Sequence, residues 1–503
     1  MSGRLDGPSG DPFGGSRDRF ERTLAWLDGA EAGGLSHGEL EARLQVDARE
    51  LFRQLLQDHL DLRAQRETRL QAVVDAEGVP RGTAEAGHER ALGTVFGAVE
   101  VTRIAYRKPG LPNLHPADGL LNLPTERHSH GLRRLAAIES SRGSFEGAVE
   151  AICRGTGQQV GKRQVEALTQ RAASDFGAFY ARRPPPATAP DDVLVISCDG
   201  KGIVMRANAL RPPTAAAAAR ATAKLATRLS RGEKRGRKRM AEVGAVYDIS
   251  PAPRTSADIL PTTEDERADT APGPTAQNRW LLASVVEDAQ TVVGQIFDEA
   301  DRRDPDHGRT WVALVDGNNH QIDRIKGEAR SRKVAVPIVV DFIHVLEYLW
   351  RAAWCFYLEG DPDAEGWVRR QALAVLAGRA TRVAGVIRRK ATHDGLDRAR
   401  RANADACASY LVNKRAYLDY PTALGRGWLI ATGVIEGACR HLIKDRMDLT
   451  GARWGLEGAE AVLKLRVLCS NGDFDDYWRF HIEQERQRVH EARYADNVIP
   501  RAA

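Results

Sequence analysis

The chain has 503 residues, of which 42% are hydrophobic and 28% charged, and its formal net charge is +5. This length predicts two to four domains, and the composition is that of a globular protein rather than a disordered or fibrous one. No stretch approaches the 18 apolar residues of a membrane span, and the first ten residues lack the apolar core of a secretory signal. The six cysteines are scattered without a Cys-x-x-Cys pair. This pattern argues against a zinc ribbon or a disulfide framework and predicts a cytoplasmic protein with no membrane partner.

The amino-terminal region predicts a small domain of helices and a β-hairpin. Residues 1–16 are rich in Gly, Ser, Pro and Asp, which predicts a disordered terminus. Within the predicted domain at 17–127, leucines recur at helical spacing up to about residue 77. Residues 91–107 then alternate apolar and polar side chains and contain β-branched residues, which is typical of a β-hairpin.

Residues 128–181 predict a helix-turn-helix domain. An apolar stripe over 145–152 is followed by a glycine-rich break at 155–157 and by a second, polar helix from about Gly161. This arrangement fits the major groove of DNA, although any helical hairpin can share it. The side chains expected to contact DNA lie at the start of the second helix: Lys162, Arg163 and Gln164.

A stiff, proline-rich linker at 182–190 precedes a predicted α/β domain at 191–480, and a tail follows at 481–503. Strand and helix patterns alternate after the linker, until a purely helical insertion over 345–430. The predicted strands are 193–198, 242–248, 279–286, 310–316 and 335–341. The predicted helices outside the insertion lie near 288–301, 319–330, 341–358, 434–447 and 456–470.

A strongly basic block lies between the first two predicted strands. Residues 201–240 contain twelve Lys or Arg residues and a single acid, Glu233. Such a block predicts an arm that contacts a polyanion such as double-stranded DNA; the alternative is a solvated charge run without a partner. The members expected to bind phosphates are Lys201, Arg235, Arg237, Lys238 and Arg239.

Three acidic residues form the candidate catalytic set. Asp199 closes the apolar run 193–198, Asp316 closes the run 311–315, and Glu436 lies at the start of a helix. Such carboxylates can converge on two Mg²⁺ or Mn²⁺ ions, which clamp the attacking and leaving oxygens of a phosphodiester. Each also has a structural alternative, because Asp199 and Asp316 precede glycine in turn-like contexts and Glu436 could cap its helix. The order of the strands, with a late helical acid, predicts an RNase H-like core within an α/β multi-domain chain.

Four stretches around these acids are distinctive. They are Ser-Cys-Asp-Gly-Lys-Gly (197–202), Ala-Leu-Val-Asp-Gly-Asn-Asn-His (313–320), Asp-Phe-Ile-His-Val-Leu-Glu-Tyr-Leu-Trp (341–350) and Thr-Gly-Val-Ile-Glu-Gly-Ala-Cys-Arg-His (432–441). Together they resemble a bacterial DDE transposase of the ISKra type of insertion sequence, with Mutator-like relatives, from about residue 90 to 494.

The resemblance implies a specific activity. Asp199, Asp316 and Glu436 would hold two Mg²⁺ or Mn²⁺ ions in an RNase H-like core that cleaves insertion-sequence ends and transfers them into target DNA. A homo-oligomer would pair the ends, in a nucleoid-associated location. Asp341 and His344 match the Asp-x-x-His signature of Mutator-like relatives, so His344 is a further catalytic candidate. The alternative is that Asp341 caps a helix and His344 only supports the site.

Basic residues after Glu436 extend the candidate DNA surface. Arg440 and Lys444 follow at i+4 and i+8, on the same face of a regular helix as the acid, where they could contact phosphates. Arg446 and Arg453 add to this surface, and Trp454 could either stack on a base or belong to the core.

The helical insertion is expected to have a task of its own because it is far longer than a connection needs. Its aromatic start (350–357) is expected to pack on the sheet, and its basic face (388–390) to contact DNA or a second subunit. Two other functions stay open for the chain: a DNA-binding protein of this fold that has lost catalysis, and an RNase H-like nuclease without strand transfer.

Overall fold

The computed structural model describes residues 11–221, 225, 227–228, 237–261, 270–449 and 451–501. The protein is mixed α/β and divides into two compact units: Met1–Arg182 with Asp473–Ala503 (the first unit), and Arg183–Gly472 (the second unit). The carboxy-terminal division falls after Gly472 and not after residue 480 as predicted, because Tyr477 is buried in the first unit and its hydroxyl donates to the Ala172 carbonyl at 2.7 Å. Within the described ranges, no helix has the length and apolar character needed to cross a membrane.

The first unit opens with a helical hairpin, formed by α1 (Gly14–Leu27), α2 (Ala30–Gly33) and α3 (His37–Arg66). The long α3 begins where the Ser36 backbone N–H and hydroxyl both donate to the Glu39 carboxylate, at 2.8 and 2.6 Å. Because α1 starts at Gly14, the end of the predicted disordered segment is helical, and residues 1–10 lie outside the described residues.

The predicted hairpin follows as β1 (Thr83–Thr94) and β2 (Gly97–Arg107), paired antiparallel. Its first strand starts well before the predicted residue 91. The loop region behind it contains one short helix, α4 (Pro116–Leu120).

The two helices predicted for the helix-turn-helix are α6 (Phe145–Thr156) and α7 (Lys162–Ala172); α5 (His130–Arg142) precedes them and α8 (Phe176–Arg182) follows, and neither of these was predicted. Gly157 ends α6 in the left-handed region at φ +71°, where glycine meets no steric penalty. The apolar faces of the three helices share one core, whose buried members are Leu132, Ala136, Ala148, Ile152, Val160, Val165 and Leu168.

A five-stranded mixed sheet forms the centre of the second unit. Its strands are β3 (Val193–Met205), β4 (Arg237–Ile249), β5 (Ala276–Ser284), β6 (Trp311–Val315) and β7 (Ile338–Val340). Their spatial order is β5-β4-β3-β6-β7, in which the first three are antiparallel and β6 and β7 run parallel to β3. All five predicted strands are present, which places Asp199 within β3 and Asp316 directly after β6.

The predicted basic arm is partly a continuation of this sheet. β3 and β4 stay paired as far as Met205 and Arg237, so 201–205 and 237–240 are strand rather than an inserted loop. A short helix, α9 (Pro212–Arg220), follows β3. Arg235 and the rest of 229–236 lie outside the described residues.

Helices cover the sheet and connect its strands. After α10 (Ser256–Ile259), α11 (Ala289–Arg303) packs on the face of Gly244, whose missing side chain makes room for Ile296. A Cβ on Gly244 would lie 2.6 Å from two atoms of Ile296. The next helix, α12 (Asn319–Arg332), follows β6.

The insertion is helical throughout, as predicted. It consists of α13 (Phe342–Ala353), α14 (Pro362–Leu376), α15 (Ala380–His393), α16 (Ala402–Asn413) and α17 (Tyr420–Gly425). Its first aromatic residues pack inside the insertion and not on the sheet, because Phe356 and Tyr357 contact Trp367 of α14 and lie under the Lys390 ammonium of α15. The contacts with the sheet edge come instead from Tyr410 and Tyr420.

The predicted helix 434–447 is divided into three parts. These are α18 (Gly433–Ala438), a π-helical turn (Cys439–Lys444) and α19 (Asp445–Met447). The last two long helices are α20 (Leu456–Asn471), which Gly472 terminates at φ +76°, and α21 (Phe474–Val489) of the first unit.

Candidate active site

Three aspartates lie in a row across the three parallel strands of the second unit. The register pairs Ser197 with Leu314 and Val315 with Val340. Continuing each pairing along the strands brings Asp199 opposite Asp316, and Asp316 opposite Asp341. Asp316 and Asp341 directly follow β6 and β7, so this register places the three aspartates next to one another at one edge of the sheet.

The strand predictions locate this row only in part. Asp316 directly follows β6, as predicted, and Asp341 directly follows β7. Asp199 instead lies in the middle of β3, because its pairing with β4 continues for six further residues to Met205. Asp199 is therefore held by a continuous strand rather than a turn.

Asp341 occupies a buried position where it links two helices. The side chain caps α13 by accepting from the Ile343 backbone N–H at 2.7 Å, which is the alternative considered for this residue. The same carboxylate accepts from the backbone N–H of Thr432 at 3.3 Å and from its hydroxyl. Asp341 is 0% exposed. It therefore ties the start of α18 to the end of β7.

The segment from Thr432 to Cys439 crosses the aspartate row. Thr432 is bonded to Asp341 at one end of the row, and the Cys439 thiol donates to Asp199 at 3.2 Å at the other end. Seven helical residues rise about 10 Å, which matches two strand spacings of about 4.8 Å each. Glu436 lies between these two contacts along the chain and interacts electrostatically with Asp341.

The environment of Glu436 favours its neutral form. Burial, followed by the negative charge of Asp341, raises the pKa of Glu436, and the hydrogen bond with the Thr432 hydroxyl at 3.1 Å partly opposes this. His344 also acts on Glu436 electrostatically, so this predicted site residue is near the acid. His344 is half-buried and its nearest acidic partner is Glu347, at 3.7 Å.

The Asp316 loop is fixed by the helical insertion. The Tyr410 hydroxyl of α16 donates to the Asp316 carbonyl at 3.2 Å, and its ring stacks on Tyr348 at 4.1 Å. Gly317 has φ +94°, and a Cβ there would lie 2.6 Å from the Tyr410 hydroxyl. The loop conformation therefore requires glycine at this position.

Further charged groups surround the row. Burial, followed by the charges of Asp199 and Asp316, raises the pKa of the Cys198 thiol to about 12, and Arg324 of α12 opposes this shift. Burial also raises the pKa of Glu242, which Arg324 and Arg211 partly offset. Arg324 is thus a cation of the site region that the sequence motifs did not indicate.

The donor set is suited to hard cations. Asp199, Asp316 and Glu436 offer only carboxylate oxygens, the ligands that Mg²⁺ and Mn²⁺ prefer. In the described part of the chain, no three His, Cys, Asp or Glu side chains are close enough together to hold a metal ion as they stand. The residue types fit the predicted ions, whereas their spacing in the described structure does not form a metal site.

A π-helical turn (Cys439–Lys444) follows the helix of Glu436 and contains both Arg440 and Lys444. Both side chains are exposed, and the Arg440 guanidinium lies 3.9 Å from Asp445. Their alignment with Glu436 stays a prediction.

Arg446 and Trp454 belong to the core. The Arg446 guanidinium is buried over the Trp454 ring, 4.7 Å from its centroid, and burial lowers the pKa of Arg446 to about 10. The Trp454 indole N–H donates to the Met447 carbonyl at 3.0 Å. Base stacking by Trp454 and phosphate binding by Arg446 are therefore not supported, whereas Arg453 is exposed.

The predicted phosphate-binding residues of the β3–β4 hairpin have different surroundings. The Arg239 guanidinium donates to the carbonyls of Ala209, Val285 and Val286, which indicates a structural role. Lys238 pairs with Asp448 at 3.0 Å. Lys201 is half-buried and acts electrostatically on Cys439, so it is close to the acids, and Arg237 lies at the end of the paired region.

In the first unit, the start of α7 is exposed as a helix-turn-helix requires. Lys162 pairs with Glu146 of α6 at 3.1 Å, and the Gln164 side chain accepts from the Gly161 backbone N–H at 3.0 Å. Gln164 is therefore engaged in capping its own helix. Arg163 is exposed and forms no ion pair with the described residues, so it is the basic side chain of the three most available to a partner.

Comparison with protein-family models and with curated proteins finds no match to this chain. The site therefore rests on its own geometry. The residues that sequence reasoning missed are Thr432, Tyr410 and Arg324. Each becomes visible only through its contact or charge near the acids, because none stands in a recognisable spacing from them.

Proposed function

We propose that the chain is a DDE transposase whose second unit is an RNase H-like catalytic domain. The observation that carries the proposal is the aspartate row crossed by the segment of Glu436. The strand arrangement supports it, since three antiparallel strands followed by two parallel ones, with an acid on the first strand and another after the fourth, is the layout expected for this fold. The fold alone would not suffice, because one fold hosts many functions.

Asp199, Asp316 and Glu436 are the proposed ligands of two Mg²⁺ or Mn²⁺ ions. Bound there, such ions would activate the attacking oxygen and stabilise the leaving oxygen of a phosphodiester. The protein contributes the placement of the carboxylates: β3 holds Asp199, the Tyr410-supported loop holds Asp316, and the Thr432–Asp341 contact holds the helix of Glu436.

DNA recognition is proposed to be shared between separate surfaces. The exposed start of α7, with Arg163, would read the element ends in the major groove. Lys201, close to the acids, would contact phosphates of the strand being cut. The described residues favour Arg163 and Lys201 over Lys162, Lys238 and Arg239, whose charges already have partners.

Metal binding and strand transfer test the proposal together. Asp316→Asn should abolish Mn²⁺ binding by calorimetry and end cleavage of duplexes carrying the DNA that flanks the gene, while binding to those duplexes persists. The matched control is Asp323→Asn, which removes the same charge from an exposed position of α12. Equal Mn²⁺ binding by both variants would rule out the proposed metal ligands.

The products distinguish the remaining alternatives. A transposase joins a pre-cut end with a free 3′-hydroxyl to a target plasmid, whereas a nuclease of this fold cuts without joining. A DNA-binding protein that has lost catalysis would bind the ends and do neither. Joined products that require Mg²⁺ or Mn²⁺ are the expected result.

A further inference from the structure

The first unit begins with a helical arm, made of α1 and the part of α3 from His37 to Leu55. The helices run antiparallel, because the Ser16 hydroxyl donates to Asp58 at 2.6 Å and the Arg43 guanidinium covers the Trp26 ring at 5.0 Å. From Phe52 onward, α3 also packs on the β1–β2 hairpin, where Phe52 contacts Phe96. The line of contact between α1 and α3 is therefore fixed by residues at both ends of the arm.

An apolar strip occupies one side of the arm. Taken at 100° per residue, the strip on each helix lies about 90° around that helix from the line where it contacts the other helix. The rotation from the contact line to the strip runs in the same sense on α1 and α3. Because the two helices are antiparallel, both strips therefore lie on the same side of the arm. The members of this arm face are Phe20, Leu24 and Leu27 of α1, and Leu44, Leu51 and Leu55 of α3.

The arm face is open. Phe20 is 48% exposed, Leu24 44%, Leu27 39% and Leu55 37%. The apolar anchors of α3 on the hairpin, Leu56 and Leu60, belong to a different side of the helix. A contiguous apolar face of this kind marks an interaction surface. Two further helices packed on this face would complete a four-helix bundle.

The charges along the arm identify the partner. The tip, residues 28–41, contains four acids and no Lys or Arg, whereas the root, residues 59–69, contains three arginines and a histidine against two acids. At the root, Arg63 and Arg66 are exposed and form no ion pair with the described residues. A two-fold axis at Leu51, the middle of the strip on α3, sets residues 39–41 of one copy beside residues 61–63 of the other. Glu41 at the acidic tip is then offset by only two residues from Arg63 at the basic root.

We propose that two copies of this chain pair through the arm face as a symmetric, antiparallel four-helix bundle. Isologous pairing uses the same patch on both copies, which suits a face whose two ends carry opposite charge. Knobs-into-holes packing of such leucine-rich helices would bury the exposed strip. The pairing does not depend on the proposed transposase activity.

Oligomeric state measured on the full chain tests the proposal. Sedimentation equilibrium should give a dimer, and Leu24→Glu should raise its dissociation constant at least about 100-fold, as for a central interface residue. The matched control is Val46→Glu, since Val46 is 59% exposed but lies on the opposite side of the arm. Thermal melting by circular dichroism establishes that both variants are folded. A monomeric wild type, or equal dissociation by both variants, overturns the proposal.

Charge exchange tests the antiparallel arrangement. Glu41→Arg and Arg63→Glu should each weaken the dimer about tenfold, and the double variant should recover most of the loss, because tip and root then attract again. Additive weakening in the double variant would overturn the tip-to-root arrangement.

Discussion

Thr432 and Asp341 are joined by two hydrogen bonds, because both the backbone N–H and the hydroxyl of Thr432 donate to the same carboxylate oxygen. Both residues are buried, with 2% and 0% exposure. The hydroxyl is also 3.1 Å from Glu436. This contact fixes where the helix of Glu436 begins relative to β7, and so controls the distance from Glu436 to the aspartate row.

Replacing Thr432 should weaken metal binding without removing any proposed ligand. In Thr432→Val the buried Asp341 loses a donor and the start of α18 loses its anchor, so Mn²⁺ affinity should fall about 10- to 100-fold. Thr432→Ser keeps the hydroxyl and should remain near wild type. Calorimetric titration with Mn²⁺ measures both, and a Val variant that binds as well as the Ser variant would show that the contact is only structural.

The sequence predicted the sheet well because its strands are buried apolar runs that end at turn residues or acids. It predicted Asp199, Asp316 and Glu436 from those run ends and from a helix start. It could not predict the row, because register depends on pairing between distant segments. Asp341 was visible as a helix cap or as part of an Asp-x-x-His signature, and Tyr410 only as one aromatic residue in a long helical insertion. Their roles come from tertiary contacts with no signature in sequence spacing.

Gly317→Ala should destabilise the second unit. The residue is in the left-handed region at φ +94°, and the added methyl would meet the Tyr410 hydroxyl at 2.6 Å, so a loss of about 1–3 kcal/mol is expected. The matched control is Gly327→Ala in α12, where a Cβ meets nothing within 4 Å and should stabilise by up to about 1 kcal/mol. Chemical denaturation compares the two. Equal stability of both variants would mean that the Asp316 loop tolerates another conformation.

The first unit should lose stability as pH falls from about 6.5 to 4. Burial lowers the pKa of His130 from 6.5 to about 4, and its Nε2–H donates to the Asn122 carbonyl at 2.9 Å. Its Nδ1 is buried with no partner in the described ranges, so a proton added to this nitrogen would have no hydrogen-bond acceptor. As the pH falls, the unfolded state binds this proton at a higher pH than the folded state does. The contribution of neutral His130 to the free energy of unfolding is therefore complete above pH 6.5 and has fallen by roughly 3 kcal/mol at pH 4.

The variant His130→Asn isolates this contribution. Calorimetric melting between pH 7.5 and 5 should show a smaller decrease in Tm for the variant than for wild type. Glu485 does not contribute to the change in stability between pH 7.5 and 5. Burial opposes its ionisation, but the hydrogen bonds from Arg488 and the charge of Arg133 lower its pKa to about 2. Its stabilising contribution is therefore retained above pH 4.5 and is lost only below this window. Parallel Tm curves for the two proteins would contradict the assignment.

Substitutions at the start of α7 should separate DNA contact from helix capping. Arg163→Ala removes an exposed cation without an ion pair among the described residues, so the slope of log K against log salt should decrease by about 0.9. Lys162→Ala should change it less, because Lys162 already pairs with Glu146. Gln164→Ala should instead lower stability by about 1 kcal/mol, because it removes the acceptor for the Gly161 N–H. Fluorescence anisotropy at several salt concentrations measures the slopes. Equal slopes for Arg163→Ala and wild type would move the DNA surface away from this helix.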